Sequence, residues 1–175
     1  MKIEHKFARG DMPVRLDDGV RIAGYASWFG IEDNGRDIVD HGAYCDSLAR
    51  SSAEGRSIKM LWQHDPVQVI GVWDEVWEDA RGLYVKGRLL PGVARAREAA
   101  ELIEAGALDG LSIGYTVRRA MKDDQGRRHL KELELWEVSL VTFPMLSNAR
   151  VGAKADPMRQ LARLISDARL DLARD

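Results

Sequence analysis

From Leu111 to Phe143 the chain alternates apolar and polar residues, turns once, and alternates back. Leu111, Ile113, Tyr115 and Val117 interleave with Ser112, Gly114, Thr116 and Arg118, the period of two that sends successive side chains to opposite faces of a strand. Asp123-Asp124-Gln125-Gly126 has the composition of a tight turn, and His129–Phe143 reads as the returning strand, ended by Pro144. The alternation slips between Leu135 and Trp136, which predicts a β-bulge there. A hairpin this long, apolar on one face, commits the chain to a sheet.

More strands precede it. Residues 20–29 follow the turn signal Asp17-Asp18-Gly19 and are rich in β-branched and aromatic side chains. Ile58–Trp62 reads as a strand that gives way to a loop at Gln63-His64-Asp65-Pro66. Val67–Trp77 and Leu83–Leu90 form a hairpin through Glu78–Gly82. Two helices interrupt the series. Asp40 is placed to cap a short one carrying Tyr44, Cys45 and Leu48 on one side, and Val93–Ala105 is rich in Ala, Glu, Arg and Leu and closed by Gly106. Strands joined mostly by hairpins predict a mainly β, α+β domain. Its sheet is expected to be largely antiparallel and closed or nearly closed into a barrel, with flanking helices.

This domain is expected to span residues 1–152. Residues 153–175 read as a linker followed by an amphipathic helix after Pro157. There Met158, Leu161, Ile165, Ala168 and Leu172 recur at 3-4-3-4 spacing, a seam expected either to pack onto the barrel or to mediate homo-oligomer formation or docking in the scaffold.

Composition removes several classes of function. Lys and Arg total 26 against 28 Asp and Glu, a net charge of −2, and a nucleic-acid partner would ordinarily require a basic excess. No apolar run reaches the ~18–20 residues that span a bilayer, and the first residues lack the apolar core of a secretory signal, so a soluble intracellular domain with no membrane partner is expected. The single cysteine, Cys45, excludes an internal disulfide framework and multi-cysteine zinc sites, and no H-E-x-x-H spacing occurs. No cofactor or metal is expected.

Gly110-Leu111-Ser112-Ile113-Gly114 matches the nucleophile elbow G-x-S-x-G, but an elbow runs strand–turn–helix, whereas here a helix precedes the serine and a strand follows it. Ser112 instead belongs to the strand, on the face opposite Leu111 and Ile113, between glycines that would let a substrate backbone come close. In a hairpin symmetric about Asp123–Gly126, Ser112 is opposite Glu137 with Cβ atoms about 5 Å apart. The bulge would turn that into a diagonal of about 7–8 Å, room for an imidazole between them. Glu137 lies within the most apolar strand of the chain and needs a partner to offset its desolvation. Of four histidines, His5 and His129 read as surface residues, and His41, near Asp37 and Asp40, as a cap or weak metal ligand. His64, at the end of the Leu61-Trp62 strand, stands where a positioned base is expected. Ser112, His64 and Glu137 thus make an acyl-transfer constellation of nucleophile, base and orienting carboxylate. The same residues also allow an inert β-barrel whose serine does no chemistry.

Five blocks, in order, bring a family into view: Gly24-Tyr-Ala-Ser-Trp-Phe29, Asp37-Ile-Val-Asp-His-Gly-Ala-Tyr44, Met60-Leu-Trp-Gln-His-Asp-Pro66, Gly106-Ala-Leu-Asp-Gly-Leu-Ser-Ile-Gly-Tyr115 and Leu135-Trp-Glu-Val-Ser-Leu-Val-Thr-Phe-Pro144. With them the chain resembles, over residues 20–152, the prohead maturation proteases of tailed bacteriophages, serine peptidases whose fold is similar to herpesvirus assemblin. The resemblance implies His64 and Ser112 as base and nucleophile, and Glu137 as the third member, a role held in assemblin by a second histidine. By analogy it puts the oxyanion hole at backbone amides near Asn148-Ala149-Arg150. It also implies a protease working in the host cytoplasm inside the immature capsid. Its substrates would be a scaffold protein or the scaffolding segment of the major capsid protein, and itself. The alternative is a catalytically inert scaffold-binding module.

Overall fold

The structure, a computed structural model, describes residues 4–7, 10–33, 35–142 and 149–152. In chain order the elements are β1 (Glu4–Phe7), β2 (Gly10–Asp17), β3 (Arg21–Trp28), β4 (Asp37–Val39), α1 (Cys45–Ala53), β5 (Lys59–Trp62), β6 (Asp65–Glu78), β7 (Gly82–Leu89), α2 (Ala94–Glu104), β8 (Gly110–Lys122), β9 (Arg128–Val141) and β10 (Ala149–Gly152). The ten strands form a single curled sheet in the order β1-β8-β9-β5-β6-β7-β3-β2-β10, with β4 pairing to β9 off this path. The C-terminal segment 153–175, with its apolar seam, lies outside the described residues.

The fold is mainly β with two helices, as expected, but the sheet is mixed rather than antiparallel. β5 and β4 each run parallel to β9, and β10 runs parallel to β2. Hairpins dictate only the pairing of sequence neighbours. Here they build two separate units, β5-β6-β7 and β8-β9, and the chain crosses between them through α2. The units then join side by side through β5 and β9, and the crossover leaves these two strands pointing the same way. Nor is the barrel closed: among the described residues the ladders end at β1 on one side and β10 on the other, a half-barrel.

Two local expectations at α1 also change. Its N-cap position is Tyr44, and the Asp40 carboxylate faces the His129 ring at 2.9 Å and Lys131 instead. Tyr44 is buried and donates its hydroxyl to Ser27 Oγ (2.8 Å), whereas Cys45 is exposed. α2 ends as read, with Gly106 in the left-handed conformation (φ 71°) just past its C-cap Ala105.

β8 and β9 carry the center of the molecule. Tyr115 pairs with Leu135, and Gly114 pairs with Glu137, so Trp136 is the extra residue of a bulge, where the sequence pattern slips. The bulge changes which side chains share a face. Leu133, Leu135, Val138 and Leu140 all enter the core with Leu111, Ile113 and Tyr115, although an unbroken period of two would send 135 and 138 to opposite sides. The same shift brings Glu134, Glu137 and Ser139 onto the other face together with Ser112 and Gly114.

Candidate active site

Neighbouring strands β8 and β9 carry the residues singled out as nucleophile and acid, and the turn that follows β5, beside β9, carries the base. The hairpin register decides how the first two meet. The β8–β9 loop closes with the Asp123 N–H donating to the Arg127 carbonyl (3.0 Å), one residue longer than the four-residue turn read from sequence. The Trp136 bulge adds a second residue. Two single-residue shifts preserve the face and move the pairing by two, so Ser112 lies opposite Ser139 and diagonal to Glu137. The symmetric register, which set Ser112 opposite Glu137, is therefore replaced by the diagonal.

Ser112 is on the face predicted for it, but that face is covered: the residue is 0% exposed. β1 pairs along the other edge of β8 with Phe7 opposite Ser112. The flanking glycine also has a different purpose from the one expected. A Cβ on Gly114 would come within 2.1 Å of Glu137 Oε1, so the missing side chain makes room for the carboxylate rather than for a substrate.

His64 arrives from the adjacent strand. β5 and β6 are joined by a two-residue turn, Gln63–His64, with Trp62 paired to Asp65. Both turn residues have positive φ (52° and 62°), the left-handed pair that suits the twist of a tight hairpin but that non-glycine residues adopt at a cost. Contacts to β9 hold it. The Gln63 N–H donates to the Leu140 carbonyl (2.9 Å), the Gln63 amide donates to Thr142 Oγ1 (2.5 Å), and the His64 N–H donates to Ser139 Oγ (3.1 Å). This fixes the imidazole with Nδ1 2.5 Å from Glu137 Oε1. An ionised carboxylate only accepts, so Nδ1 carries the proton and Nε2 is left as the basic nitrogen. Ser139 Oγ donates to the other carboxylate oxygen, Oε2, at 2.6 Å.

His64 and Glu137 are thus in direct contact, and Ser112 is one ladder step away across Ser139 and Gly114. Of the remaining histidines, His5 lies on β1 with its backbone paired to Gly114 of β8, and the other two stand apart. His129 is half-buried between Asp40 and Asp123, and the exposed His41 packs its ring against Phe29. Among the described residues no three metal-ligating side chains cluster. The suggested oxyanion segment is only partly described: Ala149 and Arg150 open β10, which passes close to β8, while Asn148 lies outside the described residues. Sequence reasoning gave no role to Ser139, Gln63 or Thr142. The Trp-Glu-Val-Ser run contained one signal for the first, a serine two residues beyond the acid and hence on its face. Gln63–Thr142 depends on the parallel β5–β9 pairing and left no local trace.

Comparison with known proteins places the chain in a family. Residues 11–163 match the family described as caudovirus prohead serine protease. The chain is 35% identical over 136 residues to the prohead protease of Enterobacteria phage HK97, in an alignment covering 74% of this chain and 58% of that relative. It therefore spans little more than half of that protein's length. The fold is shared with the bacteriophage T4 capsid assembly protease, at a TM-score of 0.61 and 17% identity, covering 82% of this chain and 97% of the other.

Proposed function

The chain belongs to the caudovirus prohead serine protease family, and on that premise we propose that it is a serine endopeptidase of the Ser-His-Glu type acting in prohead maturation. The observation that carries this reading is the His64–Glu137 hydrogen bond of 2.5 Å on the face that also holds Ser112. A buried carboxylate bonded to a histidine ring on the face that holds Ser112 supports this reading over an inert module.

In the mechanism Ser112 Oγ attacks the peptide carbonyl while His64 Nε2 takes its proton. Glu137 holds the ring by Nδ1 and offsets the charge that develops on it. The imidazolium then protonates the leaving amine, and a water activated by the same nitrogen releases the acyl group from Ser112. Backbone amides where β10 begins, at Ala149 and Arg150, are the candidates for the oxyanion hole, since β10 approaches β8. Ser112 is fully buried, so in this reading attack on a peptide requires its hydroxyl to become accessible. The substrates in this reading are a scaffold protein or the scaffolding segment of the major capsid protein, together with the protease itself, and the place of action is the immature capsid in the host cell.

Co-expression with a major capsid protein from the same genome, followed by mass spectrometry of new termini, tests the proposal. Processing is expected with the wild-type chain and is expected to be lost in Ser112→Ala and in His64→Ala, the double variant being little worse than either single one because the residues act as a unit. Normal processing by either folded variant rejects the assignment.

A further inference from the structure

Ser139 is a fully buried hydroxyl (0% exposed) on the site face of β9, opposite Ser112 across β8 and beside Leu61 of β5. A serine hydroxyl has one proton to donate and lone pairs to accept with. Here the proton goes to Glu137 Oε2 (2.6 Å), and a lone pair takes the backbone N–H of His64 (3.1 Å). We propose that Ser139 is a positioning residue of the peptidase, the link that locks the base's backbone and the acid's carboxylate into one geometry. This rests on the reading of Ser112, His64 and Glu137 given above.

Each bond has its own consequence. With His64 Nδ1 on Oε1 and Ser139 on Oε2, the Glu137 carboxylate is gripped at both oxygens, so its plane cannot rotate away from the imidazole. The second bond acts on the backbone. His64 has φ 62°, outside the range most side chains prefer, and such a conformation persists only where surrounding contacts over-determine it. The Ser139 hydroxyl is one of those contacts, and it comes from the strand that carries the acid. Relaxation of the turn would swing the ring off Glu137. Ser139 touches neither scissile bond nor leaving group in this scheme; it acts through His64 and Glu137.

A hydroxyl serving only to satisfy buried polar groups would affect stability alone, so the test reads catalysis and the imidazole separately from folding. Ser139→Ala in the full chain is compared with wild type by thermal melting, by kcat and KM on a peptide from the cleaved segment, and by the low-field proton resonance of His64 Nδ1–H, assigned through its loss in His64→Ala. The expected result is a folded variant with kcat lowered roughly 10²-fold, the scale of a misplaced catalytic group, at unchanged KM, and with the resonance moved upfield or lost. Ser139→Cys keeps the volume with a weaker donor and is expected to fall between, and it decides the matter if the alanine variant does not fold. Wild-type kcat and an unmoved resonance in a folded Ser139 variant overturn the proposal. Ser112→Ala separates this from the parent reading: it should abolish turnover yet leave the resonance in place. Turnover surviving Ser112→Ala rejects the catalytic assignment, while the resonance still reports whether Ser139 orients the pair.

Discussion

Glu134 and Glu137 are three residues apart on β9, both buried, and the Trp136 bulge turns both to the same face, yet they are held in opposite ways. Glu134 is gripped by guanidinium groups, Arg50 at 2.5 Å and Arg56 at 2.6 Å, which tie α1 and the chain after it to the sheet. Arginine keeps its charge at any pH a protein survives, so this carboxylate is permanently matched and fastens structure. Glu137 is held by an imidazole and a hydroxyl. An imidazole has two ring nitrogens, so a carboxylate holding one of them orients the other, the part the proposed mechanism gives to Glu137. Burial does not distinguish these two carboxylates; the chemistry of their partners does.

Substitution separates the two most sharply at Glu137. Glu137→Gln keeps the shape and removes the charge, and turnover on a processed peptide is expected to fall by roughly 10⁴-fold, as for the orienting acid of a well-studied triad, with the fold retained. Wild-type turnover would mean that another group orients His64. Next in size is Gly114→Ala. The added Cβ occupies the place of Glu137 Oε1 and should push the carboxylate off the imidazole, costing roughly 10²-fold in kcat and lowering the melting temperature as well. A variant as active as wild type would show that the carboxylate has another place to stand.

The smallest effect on chemistry and the clearest effect on stability belong to Glu134. Burial alone would raise its pKa, but the hydrogen bonds and charge of Arg50, followed by those of Arg56, outweigh it and hold the group below the usual carboxylate range. A carboxyl depressed in the folded state adds stability that is complete above its unfolded pKa of about 4.3, and that is lost as pH falls through the lower folded value. Glu134→Gln should therefore cost about 2 kcal/mol near neutral pH, leave kcat within error, and flatten the acid limb of the melting temperature against pH. An unchanged acid limb would remove Glu134 from the structural side of the comparison.

Much of this was legible in the residues. The β8–β9 hairpin follows from alternation over Leu111–Val117, and the slip at Leu135-Trp136 marked the bulge because a period of two admits no extra residue without leaving a trace. Val93–Gly106 was equally readable, since helix formers and a left-handed glycine end are local signals. β4 is three residues long, too short to show a period, and β10 is little longer. The Gln63–His64 turn carries no glycine or asparagine, so nothing in the sequence marked a tight hairpin there.

What the sequence determined by itself, then, is whatever depends on neighbours in the chain: β3, the strands from β5 to β9 and α2, the bulge, and a serine and a glutamate on one face of one hairpin. The family resemblance could nominate His64, but not put it in place. The tertiary structure alone decided that β5 lies parallel to β9, that the loop and the bulge together shift Ser112 by two residues to face Ser139, and that Gly114 is empty so that Glu137 can reach the imidazole. Strand pairing across a crossover is settled by the packing of whole units against one another, and no local pattern encodes the direction or register of that pairing.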